Sequence, residues 1–176
     1  MACDLTSGRT EPCSDAIGGL KTLYLIDYIA DSFTITAGEA TAMNVAVTAA
    51  YKYDLLADTN TLNEPFTQDI NAGTSTYQQA LVVALKKQTQ ASSQELSLIV
   101  KSRPIAVVVD RNGDYKIVGI SDGTVSTGDI ISGGAKNEFN GYNLTLSATE
   151  TAPAPTLDSS TVTAFLAIVS ATVINP

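Results

Sequence analysis

An Asn-Gly pair between two β-branched runs is the feature that most restricts how this chain can fold. Ile105–Val109 and Tyr115–Ile120 are both rich in Val and Ile, and Asn112-Gly113 lies in the short polar segment between them. An Asn-Gly pair in this position favours a tight turn, because both residues readily take the positive φ angles that the turn requires. The pattern predicts a β-hairpin, and with it antiparallel sheet structure.

Period-two alternation predicts further strands on both sides of this hairpin. Met43–Leu55 alternates along its whole length, which predicts one long strand, although its alanines leave a helix as the alternative for its first half. Tyr77–Lys87 is apolar on both faces at its centre, which predicts a strand covered on both sides. Shorter strands are predicted at Leu23–Ile26, Ser32–Thr36, Phe66–Ile70, Thr124–Ile131 and Tyr142–Thr149.

One segment has the period of a helix instead. Ser92 and Glu95 have the spacing of a capping box, in which a Ser at the N-cap is followed three residues later by Glu. Three apolar residues then follow on one helical face: Leu96, Ile99 and Val100. Because Pro104 prevents continuation, the predicted helix covers residues 92–102.

Together these elements predict a mainly β chain, an antiparallel β-sandwich or barrel with one short flanking helix and extended terminal arms. We predict three regions, which are an N-terminal arm at 1–20, the β domain at 21–150 and a C-terminal segment at 151–176. The C-terminal segment begins with a Pro-rich connector. The apolar run Val162–Ile174 then predicts a last strand, with a short helix as the alternative, capped by Ser159 or Ser160.

The composition removes most catalytic chemistry. The 176 residues include no Trp and no His, which is the commonest general base near neutral pH and the commonest neutral metal ligand. Asp110, Asn112 and Asp114 have the opening spacing of a calcium loop, but Tyr115 stands where the loop requires Gly and Ser121 where it requires Glu. We therefore predict no catalytic residue, no cofactor-binding residue and no metal ligand, and a protein that is not an enzyme.

Charge and leader patterns limit the partners. The formal net charge is −8, so binding to nucleic acid through its phosphates is not expected. The chain opens without the basic and apolar regions of a secretory signal, and no apolar run is long enough to span a bilayer, so we expect cytoplasmic synthesis and no membrane partner. Cys3 and Cys13, the two cysteines, are compatible with free thiols or with one disulfide.

Surplus apolar sequence favours assembly over catalysis. Hydrophobic residues make up 44% of the chain, more than its few amphipathic faces need, and such a surplus is commonly buried between subunits. An apolar C-terminal segment over 156–176 would be an aggregation hazard if it stayed exposed, and a neighbouring subunit that accepts it as an added strand removes that hazard. We therefore predict self-assembly, with the two terminal arms as the contacts.

Three stretches of the chain together form a pattern that resembles a known family. They are Met1-Ala2-Cys3-Asp4-Leu5-Thr6-Ser7-Gly8-Arg9 with Pro12-Cys13 and Gly18-Gly19-Leu20-Lys21, then Thr76-Tyr77-Gln78-Gln79 through Leu85-Lys86-Lys87, and last Asn112-Gly113 with Phe139-Asn140-Gly141-Tyr142-Asn143-Leu144-Thr145-Leu146. Over residues 1–150 this pattern resembles virion structural proteins of tailed bacteriophages that infect Bacteroidetes, including crAss-like phages.

The resemblance implies a tail-tube-like or tail-ring protein with a β-sandwich and a helix, assembled in the host cytoplasm into homo-oligomeric rings of the phage tail. DNA would pass through the lumen of such rings, and an acidic protein suits a conduit that must not bind its cargo. Other virion parts are the alternative, namely a neck connector, a capsid decoration or a head-fibre-base protein. A soluble ligand-binding β-barrel or an enzyme is the least favoured reading.

Overall fold

The chain folds into two β-sheets and two helices. The structure is a computed structural model and describes residues 7–11, 13–14, 16–56 and 58–169. The helices are α1 (Gln90–Lys101) and α2 (Ser159–Ala167). The strands are β1 (Leu20–Ile26), β2 (Phe33–Thr36), β3 (Glu39–Met43), β4 (Tyr51–Asp54), β5 (Thr61–Asn63), β6 (Phe66–Asp69), β7 (Thr74–Lys86), β8 (Ile105–Asp110), β9 (Tyr115–Val118), β10 (Val125–Ile131), β11 (Gly141–Glu150) and β12 (Thr156–Leu157).

The two sheets pack face to face as a β-sandwich. The first sheet has seven strands in the order β2-β3-β12-β9-β8-β1-β4, and the second has five, in the order β10-β11-β7-β5 with β6 also pairing with β7. The named strands pair antiparallel, except that β12 is parallel to β3. Within the described residues neither sheet closes on itself, so of the two predicted architectures the sandwich is confirmed and the barrel is not formed.

Strands β8 and β1 are neighbours in the seven-stranded sheet and are buried on both faces. β8 reads Ile-Ala-Val-Val-Val, a nearly continuous β-branched run of the kind that suits a strand covered on both sides. One face packs against the five-stranded sheet and α1 through Leu23, Leu25, Val108, Leu81, Leu144 and Ile99. The opposite face packs against α2 and neighbouring segments through Tyr24, Ile26, Val107, Phe33, Val47 and Phe165.

The hairpin predicted around Asn112-Gly113 is confirmed, since β8 and β9 pair antiparallel through Ala106 with Val118 and Val109 with Tyr115. Gly113 has φ +97°, a value that glycine adopts without strain.

The predicted helix is confirmed in place, but its start was wrong. α1 begins at Gln90, two residues before Ser92, because Thr89 is the N-cap. The Thr89 hydroxyl oxygen accepts the backbone N–H of Ser92 at 3.2 Å, so the helix is capped one turn before the predicted capping box.

The single long strand predicted at Met43–Leu55 is wrong, and so is its helical alternative. Asn44 breaks the strand, because its side-chain Oδ1 accepts the N–H of Ala46 at 3.0 Å and its carbonyl accepts the N–H of Val47 at 3.0 Å. An Asn side chain that captures its own backbone in this way makes a turn. β3 therefore ends at Met43, and β4 begins only at Tyr51.

The burial predicted for Tyr77–Lys87 is also wrong. The strand itself is present, as β7, and its Leu81 and Val83 are fully buried between the sheets. Val82 points the other way and is 38% exposed, because no layer of the described chain covers the outer face of the five-stranded sheet there. The strands buried on both sides are β1 and β8.

The strand preferred for Val162–Ile174 is wrong over the described residues, where the chain forms α2. The cap is Asp158, one residue before the predicted Ser159, and its carboxylate accepts the N–H of Thr161 at 2.6 Å. The helix forms because Phe165 inserts into the core, with its ring edge-to-face with Tyr24 at a centroid distance of 5.3 Å. Residues 170–176 lie outside the described ranges.

The segment after residue 155 takes part in the fold instead of extending from it. β12 lies between β3 and β9, where Thr156 pairs with Glu39 and with Lys116. The C-terminal segment was expected to add a strand to the sheet of a neighbouring subunit. In the described residues, its strand β12 instead joins this chain's own sheet. The predicted boundaries at 20 and 150 stay predictions.

Replacing Phe165 with Ala should show that α2 belongs to the core. We expect the free energy of unfolding to fall by about 3–5 kcal/mol, because the substitution leaves a cavity between α2 and the seven-stranded sheet. The matched control is Leu166→Ala, whose side chain is 43% exposed and should cost about 1 kcal/mol or less. Urea unfolding followed by circular dichroism measures both. Equal losses in the two variants would contradict the packing of α2.

Candidate assembly surfaces

A two-stranded ribbon extends beyond the sandwich. β6 pairs with the first part of β7, from Phe66 with Tyr77 to Asp69 with Thr74. β11 accompanies β7 only as far as Tyr77, which pairs with Glu150. Among the described strands, the part of β7 before Tyr77 therefore has β6 as its one partner. Isolated two-stranded hairpins are at best marginally stable in water, so this ribbon lacks the support that the rest of the sheet has.

The turn of the ribbon is built locally. Asp69 Oδ1 accepts the N–H groups of Asn71 at 2.9 Å and Ala72 at 3.1 Å, and Gly73 takes φ +65°. Such an Asx turn needs no contact with the rest of the chain. The ribbon can thus hold its shape at the tip while its faces stay open.

One face of the ribbon continues the core face of the five-stranded sheet. Side chains alternate along a strand, so Tyr77 lies on the same side of β7 as the buried Leu81 and Val83. Phe66 pairs opposite Tyr77, with ring centroids 6.0 Å apart, yet Phe66 is 75% exposed. Ile70, at the turn, is 86% exposed. The face of β7 that is buried in the core within the sandwich is therefore exposed where the ribbon extends beyond the sandwich.

Open strand edges add to this surface. β2 and β4 end the seven-stranded sheet, and β10 ends the five-stranded sheet on the side away from the ribbon. Ile130 of β10 and Leu98 of the nearby α1 are both more than half exposed. Unpaired edges of this kind are templates for pairing with another chain.

The N-terminal segment is held to the hairpin turn by a double hydrogen bond. The side chain of Asn112 accepts the N–H of Ile17 at 2.9 Å and donates to its carbonyl at 3.0 Å. The Ile17 side chain is exposed, so the segment is anchored by the Ile17 backbone. Leu5 and Cys3 lie outside the described residues, so a Cys3–Cys13 disulfide stays untested; Cys13 itself is exposed.

A pair of buried polar side chains lies where the two sheets meet. Gln79 Oε1 accepts the N–H of Gly119 at 2.9 Å, and Glu150 Oε1 accepts the N–H of Ser121 at 3.0 Å. The Ser121 hydroxyl also donates to the Glu150 carboxylate. Gln79 Nε2 is buried and has no partner in the described residues. An unsatisfied buried donor costs about 1–3 kcal/mol, so this amide needs an acceptor.

The residues with calcium-loop spacing form a hairpin turn. Asp110 Oδ1 accepts the N–H groups of Asn112 at 2.8 Å and Asp114 at 2.9 Å. Partial burial raises the pKa of Asp110, but the hydrogen bonds from Asp114 and Asn112 outweigh it, so the pKa lies below its ordinary value. Among the described residues, no group of three or more Asp, Glu or Cys side chains is placed to hold a metal ion.

No helix in the described part of the chain is long and apolar enough to cross a membrane. Comparisons with protein-family models, with curated proteins and with solved structures give no match. The functional proposals therefore depend on the chain's own surfaces.

Replacing Asp110 with Asn should reveal the charge dependence of the turn. Because the pKa of Asp110 is lowered by folding, its stabilising effect is complete above the unfolded-state pKa of about 3.9 and is lost as the pH falls through the lower folded-state pKa. The difference in unfolding free energy between wild type and Asp110→Asn should therefore shrink on acidification, as measured by urea unfolding from pH 7 to pH 2. A difference that stays constant from pH 7 to pH 2 would contradict the role of the Asp110 carboxylate in the turn.

Proposed function

We propose that this chain is a non-enzymatic virion building block that assembles with copies of itself into tail-tube-like rings of a phage tail. The observation that carries the proposal is the uncovered face of the ribbon formed by β6 and the start of β7. Phe66 and Ile70 stand exposed on it, next to a row of core side chains. A neighbouring copy that covers this face completes the core that the single chain leaves open.

Open edges supply the second part of the argument. A ring needs two different surfaces on each subunit, because a contact between unlike surfaces repeats around a closed circle. The ribbon lies at one edge of the five-stranded sheet and β10 lies at the other. Each copy therefore offers unlike surfaces on opposite sides, as a head-to-tail contact requires.

Charge supports the placement on a DNA conduit. The net charge of −8 disfavours binding of the protein to DNA phosphates, as a conduit for DNA requires. The resemblance of residues 1–150 to virion structural proteins of phages of Bacteroidetes agrees with this placement and adds the tail as the location.

Electron microscopy of the purified chain tests the assembly. Negative-stain images at rising protein concentration should show rings or short tubes. Monomers at every concentration, confirmed by sedimentation velocity, would sink the proposal. Labelling of intact particles with an antibody to the chain then tests the tail location, which requires label on the tail and none on the capsid.

Phe66→Ser should separate assembly from folding. The exposed ring contributes little to the single chain, so we expect unchanged thermal stability within about 0.5 kcal/mol and a loss of rings, since the neighbour loses its apolar anchor. The matched control is Val45→Ser, which removes a 93% exposed apolar side chain outside the ribbon and should leave ring formation intact. Loss of rings in both variants, or in neither, would contradict a specific role for the ribbon.

A further inference from the structure

A notch lies beside the end of β11, where its neighbour β10 is absent. β10 begins at Val125, which pairs with Ser147, whereas β11 continues to Glu150. Ala148–Glu150 therefore pair with β7 on one side, and no described strand pairs with them on the other. The resulting cavity of about 400 Å³ is lined by residues of β7 and β11 together with Arg103, Asp122 and Gly123. Its volume is in the range of ligand pockets.

An unpartnered donor lines this notch. The orientation of the Gln79 amide is fixed, because its Oε1 accepts the N–H of Gly119. Its Nε2 therefore has to donate elsewhere, and it finds no acceptor in the described residues although the side chain is only 1% exposed. Because Nε2 itself is buried, a bound group that carries an oxygen acceptor would satisfy it after a small shift of the Gln79 side chain toward the notch.

The charges of the notch favour a neutral chain over a simple ion. The Glu150 carboxylate lies in its wall, and Asp122 and Arg103 lie at its rim, where neither makes an ion pair with another described residue. Because the two carboxylates, Asp122 and Glu150, outnumber the single cation, Arg103, the notch disfavours a free anion. A peptide backbone carries a carbonyl and an N–H at each residue, so it can serve both Gln79 and the open edge of β11.

The described start of the chain has the complementary pattern. Ser7–Glu11 is exposed and belongs to no strand or helix. Within the described ranges Arg9 and Glu11 make no ion pair. Two residues apart on an extended chain, they project to the same side, about 7 Å from each other. They carry charges opposite to those of Asp122 and Arg103.

The notch and Ile17, which follows the segment Ser7–Glu11 by six residues, lie at opposite ends of β8. Arg103 precedes β8, and the turn with Asn112, which holds Ile17, follows it. The six residues of β8 separate the two by about 20 Å. A segment that leaves one end of a subunit is placed to meet the notch at the other end of the next one, a head-to-tail contact.

We propose that Ser7–Glu11 of one copy binds as an added strand in the notch of a second copy. Gln79 Nε2 donates to a carbonyl of the segment, Arg9 faces Asp122, and Glu11 faces Arg103. This contact rests on the self-assembly proposed above and identifies one of its joints.

Disulfide trapping between two differently tagged full-length copies tests the contact. Both copies carry Cys3→Ser and Cys13→Ser; one adds Thr10→Cys, in the middle of the segment, and the other adds Thr149→Cys, in the notch. Mild oxidation of the mixture should give a mixed dimer on a non-reducing gel. The matched control replaces Thr149→Cys with Thr36→Cys, an exposed position on β2 of the other sheet, and should give none. Equal yields from the two mixtures, or no mixed dimer from either, would overturn the proposal.

Charge reversal adds a second measurement. In the trapping mixture, Arg9→Glu in the first copy should reduce the mixed dimer about tenfold through repulsion by Asp122, and Asp122→Arg in the second copy should restore it. Lys136→Glu, in an exposed loop, is the control and should change nothing. A yield that Arg9→Glu leaves unchanged would overturn the pairing. If rings form but no mixed dimer is trapped, the contact between Ser7–Glu11 and the notch is wrong and the proposed function stands. If the mixed dimer is trapped but no rings form, the contact stands and the proposed function is wrong.

Discussion

Strands β1 and β8 pair antiparallel from Thr22 with Val109 to Ile26 with Ile105, and each directs apolar side chains to both faces of its sheet. Two core surfaces back to back require two covering layers. The five-stranded sheet and α1 cover one surface, while α2 and the segment around Val47 cover the other. The other strands of the seven-stranded sheet extend this buried pair, and the two helices lie on its opposite faces.

The sequence predicted correctly those elements whose structure is determined by residues next to one another in the chain. Asn112-Gly113 marked its hairpin, although of the two only Gly113 takes a positive φ, and the Asp110 carboxylate closes the turn by accepting the N–H groups of Asn112 and Asp114. The missed features depend on distant contacts or on short-range competition. Asn44 interrupts an alternation that looks like one strand, and Phe165 turns a β-branched run into a helix because a pocket beside Tyr24 receives it. β12, only two residues long, is too short to leave a pattern.

The sequence predicted contacts between copies, and that prediction stays untested. Surplus apolar sequence was the signal for such contacts, and the two terminal arms were their expected sites. In the structure, Thr156–Leu157 of the C-terminal segment lies in the chain's own sheet and Ser159–Ala167 packs against that sheet as α2. Two of the most exposed apolar side chains, Phe66 and Ile70, lie instead on the ribbon. No sequence pattern separates Tyr77 from Leu81, since both occupy the same face of β7. What differs is the layer opposite them, which only the packing of the two sheets determines.

The insertion of β12 between β3 and β9 sets an order on folding. The β2–β3 hairpin joins the rest of its sheet through β12, whose Leu157 pairs with Ala40 far earlier in the sequence. A contact of such long range forms slowly, because the intervening chain must first be ordered. While the polypeptide is being synthesised, the hairpin is finished early but has no neighbour to join. The seven-stranded sheet therefore closes late in synthesis, after the chain has been made as far as Leu157.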